Sequence, residues 1–249
     1  MKPRLIPSIL LKHRLAFVSR LFDEYNYVGD PLNILNILSS CCADEVHVVD
    51  KSASVSGQID RSLLEKLRSV SDFPLAYAGG IRAAPQIDIV FGAGFDKILL
   101  SACNTNLIQL AQYTHDKYGS QALGLSLDYS FVSHKRHIYN PYSRTYTQDL
   151  AVAYLLSLPV QLFSDILLTS VSFNGLSSGV DGDILESIAS SRLRNPILLA
   201  GGLHHYNSTL VDSLTEKNPH FSGIAASTSV FLQNYSFGSA LVSLTRHAF

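Results

Sequence analysis

One stretch of this sequence occurs twice. Phe73-Pro74-Leu75-Ala76-Tyr77-Ala78-Gly79-Gly80-Ile81-Arg82 returns 122 positions later as Asn195-Pro196-Ile197-Leu198-Leu199-Ala200-Gly201-Gly202-Leu203-His204. A second echo keeps the same order: Asp44-Glu45-Val46-His47-Val48-Val49 returns 120 positions later as Ser164-Asp165-Ile166-Leu167-Leu168-Thr169. Two echoes at nearly equal offset divide the 249 residues into similar halves. Apolar runs of strand length recur at 5–11, 46–49, 75–78 and 98–100, then at 122–127, 166–171, 197–200 and 223–226. They are continuous rather than alternating, the pattern of parallel strands covered on both faces. Helical spacing fills 31–40, opened by Asp30-Pro31, and then 60–70, 86–91, 106–117, 148–156, 183–192, 209–216 and 236–247. Eight strands alternating with eight helices predict an α/β chain folded as one (β/α)8 TIM barrel over residues 1–249. A doubly wound open sheet is the competing arrangement. The half-barrel internal duplication favours the barrel, since two (β/α)4 units close a cylinder.

Composition narrows the function. Apolar residues make up 47% and charged residues 16%, enough for a large core. The net charge of −1 gives no electrostatic reason to seek nucleic acid or an anionic membrane. No apolar run reaches the roughly 18 residues of a membrane span, and the first residues do not read as a signal peptide. Cys41, Cys42 and Cys103 show no metal-ligand spacing and suit free thiols, so the expected compartment is the cytoplasm. His204-His205 lack an acidic or thiol partner at helical spacing, so neither a metal nor another cofactor is expected. His47, inside an apolar strand, reads as a hydrogen-bonded core residue.

Two connections are long for a barrel, 12–30 after the first strand and 129–147 after the fifth. They occupy equivalent places in the two halves, on the face where barrel enzymes work, and read as lids or binding surfaces. On that face Gly79-Gly80 and Gly201-Gly202 end the third and seventh strands. Such side-chain-free turns suit phosphate oxygens, with Asn174-Gly175, Ser101 and Ser229 as further donors at neighbouring strand ends. Asp128, ending the fifth strand, is the candidate acid/base; Asp50 and Lys12 are secondary candidates for the chemistry. At the opposite end, Arg4, Glu45, Lys97 and Asp165 stand just before the first, second, fourth and sixth strands. Two cations and two anions converging there would neutralise one another.

These residues resemble the HisF family, the cyclase subunit of imidazole glycerol phosphate synthase. The resemblance runs over essentially the whole chain. It is carried by Arg4-Leu5-Ile6-Pro7, Tyr27-Val28-Gly29-Asp30-Pro31, Asp44-Glu45 through Asp50, Ala78-Gly79-Gly80-Ile81-Arg82, Gly119-Ser120-Gln121-Ala122 and Asp165-Ile166-Leu167-Leu168-Thr169-Ser170. It implies a duplicated barrel that forms a heterodimer with a glutaminase subunit of the HisH type. Ammonia from that partner would enter the lower face and react with a phosphorylated small molecule at the upper face. Arg4, Glu45, Lys97 and Asp165 match the family's charged ammonia gate in sign, and Asp96 matches a contact to the glutaminase. The upper face departs from the family. Its strand-1 aspartate is Leu10 here, the first-loop lysine falls on Val18, the acidic residue of the sixth loop is Asn174, a following threonine is Leu176, and an Asn-Thr pair is Ser101-Ala102. The resemblance therefore implies either imidazole glycerol phosphate synthesis with altered acid/base residues or ammonia delivery to another acceptor. Amidination of a nucleotide-linked sugar for surface polysaccharides is one such acceptor reaction; a binding homologue with impaired catalysis is the third outcome.

Overall fold

A computed structural model describes residues 3–39, 43–189, 191–203 and 208–235. The first strand, β1 (Arg4–Lys12), continues into an antiparallel ribbon made by β2 (Leu15–Arg20) and β3 (Glu24–Gly29). Helix α1 (Pro31–Leu38) follows, capped by Asp30, whose carboxylate accepts from the Leu32 and Asn33 amides at 2.8 and 3.3 Å. The first half then runs β4 (Val46–Asp50), α2 (Lys51–Ser56), α3 (Arg61–Ser69), β5 (Leu75–Ala78), α4 (Ala84–Gly92), β6 (Lys97–Ser101) and α5 (Leu107–Tyr118). The second half repeats the plan. Strand β7 (Leu123–Val132) extends into the ribbon β8 (Lys135–Asn140) and β9 (Thr145–Leu150). Then come α6 (Ala151–Ser157), β10 (Asp165–Ser170), α7 (Asp183–Ala189), β11 (Ile197–Ala200), α8 (Ser208–Lys217), β12 (Phe221–Ser227) and α9 (Thr228–Tyr235).

Eight strands pair in parallel in the order β1, β4, β5, β6, β7, β10, β11, β12, and β12 pairs back to β1. The sheet has therefore closed into a (β/α)8 barrel, and the open-sheet alternative is excluded. Outward-facing strand residues such as Val48, Tyr77, Leu125 and Leu168 join helix residues such as Leu35, Leu64 and Leu185 in the main core. Inward-facing Ile6, Ala76, Leu99, Leu167, Leu198 and Ala225 form a second, separate apolar cluster in the barrel interior. All six residues of β10 are buried, as a strand covered on both faces should be.

The duplication extends to atomic packing. Gly79 (φ +125°) lies against the Asp50 carbonyl, where an added Cβ would stand 2.3 Å from its oxygen. Gly201 (φ +92°) lies against the Ser170 carbonyl at the same 2.3 Å. Both long connections are β-ribbons entered by two-residue turns, His13-Arg14 and Ser133-His134, with φ positive at all four residues. These are the backbone signs of a type I′ turn, whose twist matches that of the flanking strands. Residues 148–150, expected to begin a helix, belong instead to β9. The expected helix over 236–247 lies outside the described residues, as do residue 40, Cys41, Cys42, His204 and His205. Among the described residues no helix is long and apolar enough to cross a membrane, and no cluster of potential metal ligands occurs.

Candidate functional site

A cavity of about 490 Å³ opens at the C-terminal ends of the barrel strands. Its wall alternates along each strand. Leu10, Val49, Ala78, Ser101, Asp128, Thr169, Ala200 and Ser227 face inward, and the floor is made by His47, Leu99, Leu167 and Ala225. The two ribbons form its roof. Phe17, Phe22 and Tyr25 come from the first, while Pro141 and Tyr142 come from the second. The ribbons meet through an edge-on contact of Phe22 with Tyr139, centroids 5.9 Å apart, and an Arg144–Asp23 ion pair at 3.2 Å.

Each ribbon is also fastened to the barrel. The Leu21 amide donates to the Asn174 carbonyl at 3.0 Å, and Ser19 Oγ donates to Asn174 Oδ1 at 3.1 Å. Gly175 (φ +71°) lets the ribbon seat closely, since a Cβ there would lie 2.6 Å from the Ser19 carbonyl oxygen. The second ribbon is held by Arg136, whose fork donates to both oxygens of buried Asp181 at 2.6 and 2.7 Å, while Tyr129 Oη donates to the same carboxylate at 2.8 Å.

Among the described residues that line the cavity, Asp128 is the only carboxylate. Desolvation raises its pKa from 3.8 to about 7, against the lowering effects of the Thr169 hydroxyl and the Lys51 ammonium. A carboxyl that titrates near neutrality can give or take a proton at working pH. Lys51 was not anticipated from sequence. It lines the same cavity, its pKa lowered first by burial and then by Arg144, with Asp128 opposing. A smaller adjoining cavity, lined by Lys51, Arg82 and Arg144, makes that side of the site cationic. Leu10 occupies the inner wall at the end of β1, so no second carboxylate faces Asp128 from there.

Two of the catalytic candidates are elsewhere. Asp50 is buried on the outward face of β4, where Oδ1 caps α2 by accepting from the Ala53 amide at 2.9 Å; it does not line the cavity. Lys12 does not line it either, because its ammonium is held over the ring of Tyr25, 4.7 Å from the centroid, and 5.9 Å from that of Phe17. Of the phosphate candidates, Gly79, Ser101, Asn174, Gly175, Gly201, Gly202 and Ser229 all line the cavity. Gly80 is the exception: it packs against α2, with its Cβ position 2.5 Å from the Ala53 carbonyl oxygen. Cys103 is a free thiol whose pKa is pushed up to about 11, by burial first and Asp128 second, which makes it a poor nucleophile.

At the opposite mouth the four charges close into a ring. Arg4 donates to Glu45 at 3.2 Å and to Asp165 at 2.9 Å, and Lys97 donates to Glu45 at 3.3 Å and to Asp165 at 2.9 Å. Each cation thus bridges both acids. Gly124 leaves room for the ring, since a Cβ there would stand 2.7 Å from Asp165 Oδ1. Burial would raise the Glu45 pKa, but the hydrogen bond and charge of His47, followed by Lys97 and Arg4, bring it down to about 2. Asp96 is exposed at this end and accepts from the Leu75 amide at 2.9 Å, with Arg68 at 3.5 Å.

The fold and these two ends define a (β/α)8 barrel with a ligand-sized, one-carboxylate cavity above and a neutralised ionic ring below. Comparison with known proteins places the chain more closely: it belongs to the histidine biosynthesis protein family, whose sequence profile matches residues 4–233. It is 28% identical over 203 residues to the Campylobacter jejuni protein named "Putative imidazole glycerol phosphate synthase subunit hisF2", covering 82% of this chain and 81% of the relative. It is 27% identical to imidazole glycerol phosphate synthase subunit HisF of an Exiguobacterium species, covering 81% and 79%. To the subunit of that name from Sulfolobus acidocaldarius it is 26% identical, covering 80% of each chain.

Proposed function

We propose that this barrel is the ammonia-using subunit of a glutamine amidotransferase of the imidazole glycerol phosphate synthase type. The observation that carries the proposal is the closed ring of Arg4, Glu45, Lys97 and Asp165, set at the mouth opposite the Asp128 cavity. A ring with no net charge holds its members tightly and gives a small neutral base a mouth lined with hydrogen-bonding groups. A HisH-type glutaminase docked over this end, touching exposed Asp96, would release ammonia there. In the upper cavity, backbone amides of Gly79, Gly175, Gly201 and Gly202, with Ser101, Asn174 and Ser229, would hold the phosphate groups of the acceptor. Asp128 would pass the proton that ammonia loses on attack, and Lys51 would stabilise negative charge developing on the acceptor.

The test supplies purified protein with ammonium salt and the histidine-pathway ribulosyl-aminoimidazolecarboxamide nucleotide. Imidazole glycerol phosphate is the expected product. A folded protein that forms none with free ammonium excludes the histidine-pathway reaction. Leu10 favours a second reading. With one carboxylate in the cavity, the acceptor can be one whose amination needs a single acid/base group, such as the carbonyl-derived centre of a nucleotide-linked sugar in surface-polysaccharide synthesis. Ammonium-dependent amidination of such a sugar, without imidazole formation, would select that reading. Binding of either ligand without turnover would mark a catalytically impaired homologue.

A further inference from the structure

His47 reaches towards both ends of the barrel interior. Its Nε2 lies 3.0 Å from Glu45 Oε1, on the upper side of the ionic ring, while the residue itself forms part of the floor of the Asp128 cavity. It is 1% exposed, and its other nitrogen, Nδ1, has no hydrogen-bond partner among the described residues. Its neighbours are Ser8 on β1 and Ala76 on β5; Ser8 and Ser126 bring hydroxyls to the same cavity without bonding Nδ1, and Ile6, Leu99, Leu167, Leu198 and Ala225 form the apolar cluster beside it. Leaving a buried polar atom unpaired is costly, so a fold that keeps one at this point calls for an explanation.

The carboxylate of Glu45 can only accept, so it selects the imidazole tautomer with its hydrogen on Nε2. Nδ1 is then an unpaired lone pair in a largely apolar part of the interior, and its natural complement is a small molecule that donates N–H or O–H. We infer that His47 is a holding station for ammonia, its Nδ1 accepting one N–H of an ammonia molecule that has passed the ionic ring and not yet reached the cavity. This inference rests on the proposed function, to which it adds a named ligand-binding atom. Ammonia suits the place better than ammonium or a metal cation, because a neutral molecule pays little to enter an apolar layer. Glu45 acts here as a positioning residue: by fixing the tautomer it decides that Nδ1 accepts rather than donates.

The test observes the imidazole nitrogens of the full-length, histidine-labelled protein by long-range proton–nitrogen NMR. The His47 signals are assigned by their loss in His47→Gln or, should that variant fold poorly, in His47→Asn. Ammonium chloride is titrated at alkaline pH, with potassium chloride as the ionic control and trimethylamine as a neutral amine that has no N–H. The inference expects an unprotonated Nδ1 whose resonance moves saturably with ammonium chloride and with neither control. A resonance that stays still, one that moves equally with potassium chloride or trimethylamine, or an Nδ1 that carries the hydrogen would overturn it. The two proposals fail separately. Intact ammonium-dependent turnover beside a silent ring removes the station alone. A responding ring in a protein that aminates nothing upholds the station and removes the proposed function.

Discussion

Asp128 combines placement and chemistry in a way no other described cavity residue does. Burial raises its pKa from 3.8 to about 7, so at neutral pH the fold bears the cost of a desolvated charge. A shift of this size corresponds to roughly 2–4 kcal/mol once the carboxylate is fully ionised. The sign follows from linkage. The unfolded chain releases this proton near pH 4 and the native chain near pH 7, so native stability falls across that interval and is level above it. Asp128→Asn removes the charge and keeps the shape. The variant should melt above the parent protein at pH 8, match it near pH 4, and lose at least 100-fold in turnover. Paired thermal melts at the two pH values, with an ammonium-dependent assay, check this; full turnover in the Asp128→Asn variant would remove the carboxylate from the reaction. Lys51 belongs to the same argument. Lys51→Met should impair turnover while the fold persists, because among the described residues its ammonium donates only to the Pro141 carbonyl, at 3.4 Å.

At the scale of elements, the barrel strands were legible and the ribbons were not. Strands β5 and β11 coincide with the apolar runs 75–78 and 197–200, because an unbroken run of four apolar residues bounded by Pro and Gly-Gly leaves few other structures. The ribbons carry no comparable signal. Type I′ turns announce themselves in sequence as Asn-Gly or Asp-Gly, whereas here they are His13-Arg14 and Ser133-His134, held at positive φ by the strands they join. Strand β9 is exposed along nearly its whole length, with polar Gln148-Asp149 near its end, so 148–150 lent itself to a helical reading. Lys51 was missed for a related reason: its role depends on α2 starting immediately after β4, which no cap signal beyond Asp50 foretells. Asp50 itself shows why a carboxylate at a strand end is ambiguous. One step of register turns it from the cavity to the helix layer. The seating of the first ribbon can be tested through Gly175. A methyl group there meets the Ser19 carbonyl oxygen at 2.6 Å in a backbone conformation that disfavours alanine. Gly175→Ala should therefore loosen β2 and β3 and speed tryptic cleavage at Arg14 and Arg20 several-fold, while the barrel's main unfolding transition moves little. Equal cleavage rates in both proteins would show that the ribbon is held elsewhere.

For the whole molecule, the two ends of the barrel respond to pH in opposite directions. Glu45 lies in the ionic ring and its pKa is lowered from 4.5 to about 2. Its contribution is complete above pH 4.5 and is lost as the pH falls toward 2. Asp128, with its raised pKa, removes stability as the pH rises from about 4 to 7, and buried Asp50, also raised by desolvation, adds to that decline. The sum is a melting temperature that peaks near pH 4, slopes down to about pH 7 and then levels. The large carboxylate shift on each limb belongs to one end of the axis. Asp128→Asn should make the limb between pH 4 and 7 shallower and leave the acid limb intact. Glu45→Gln should make the acid limb shallower instead, the lowered Asp60, Asp88 and Asp183 keeping the rest of it. It should also lower stability at pH 7 by about 3 kcal/mol, because Arg4 and Lys97 would then share a single anion, Asp165. A double variant should give nearly additive changes, since the charges stand at opposite mouths with an apolar layer between them. Strong non-additivity in the melts would mean that the ring and the cavity are coupled through the barrel interior, with His47, which touches Glu45 and lines the cavity, as the residue positioned to couple them.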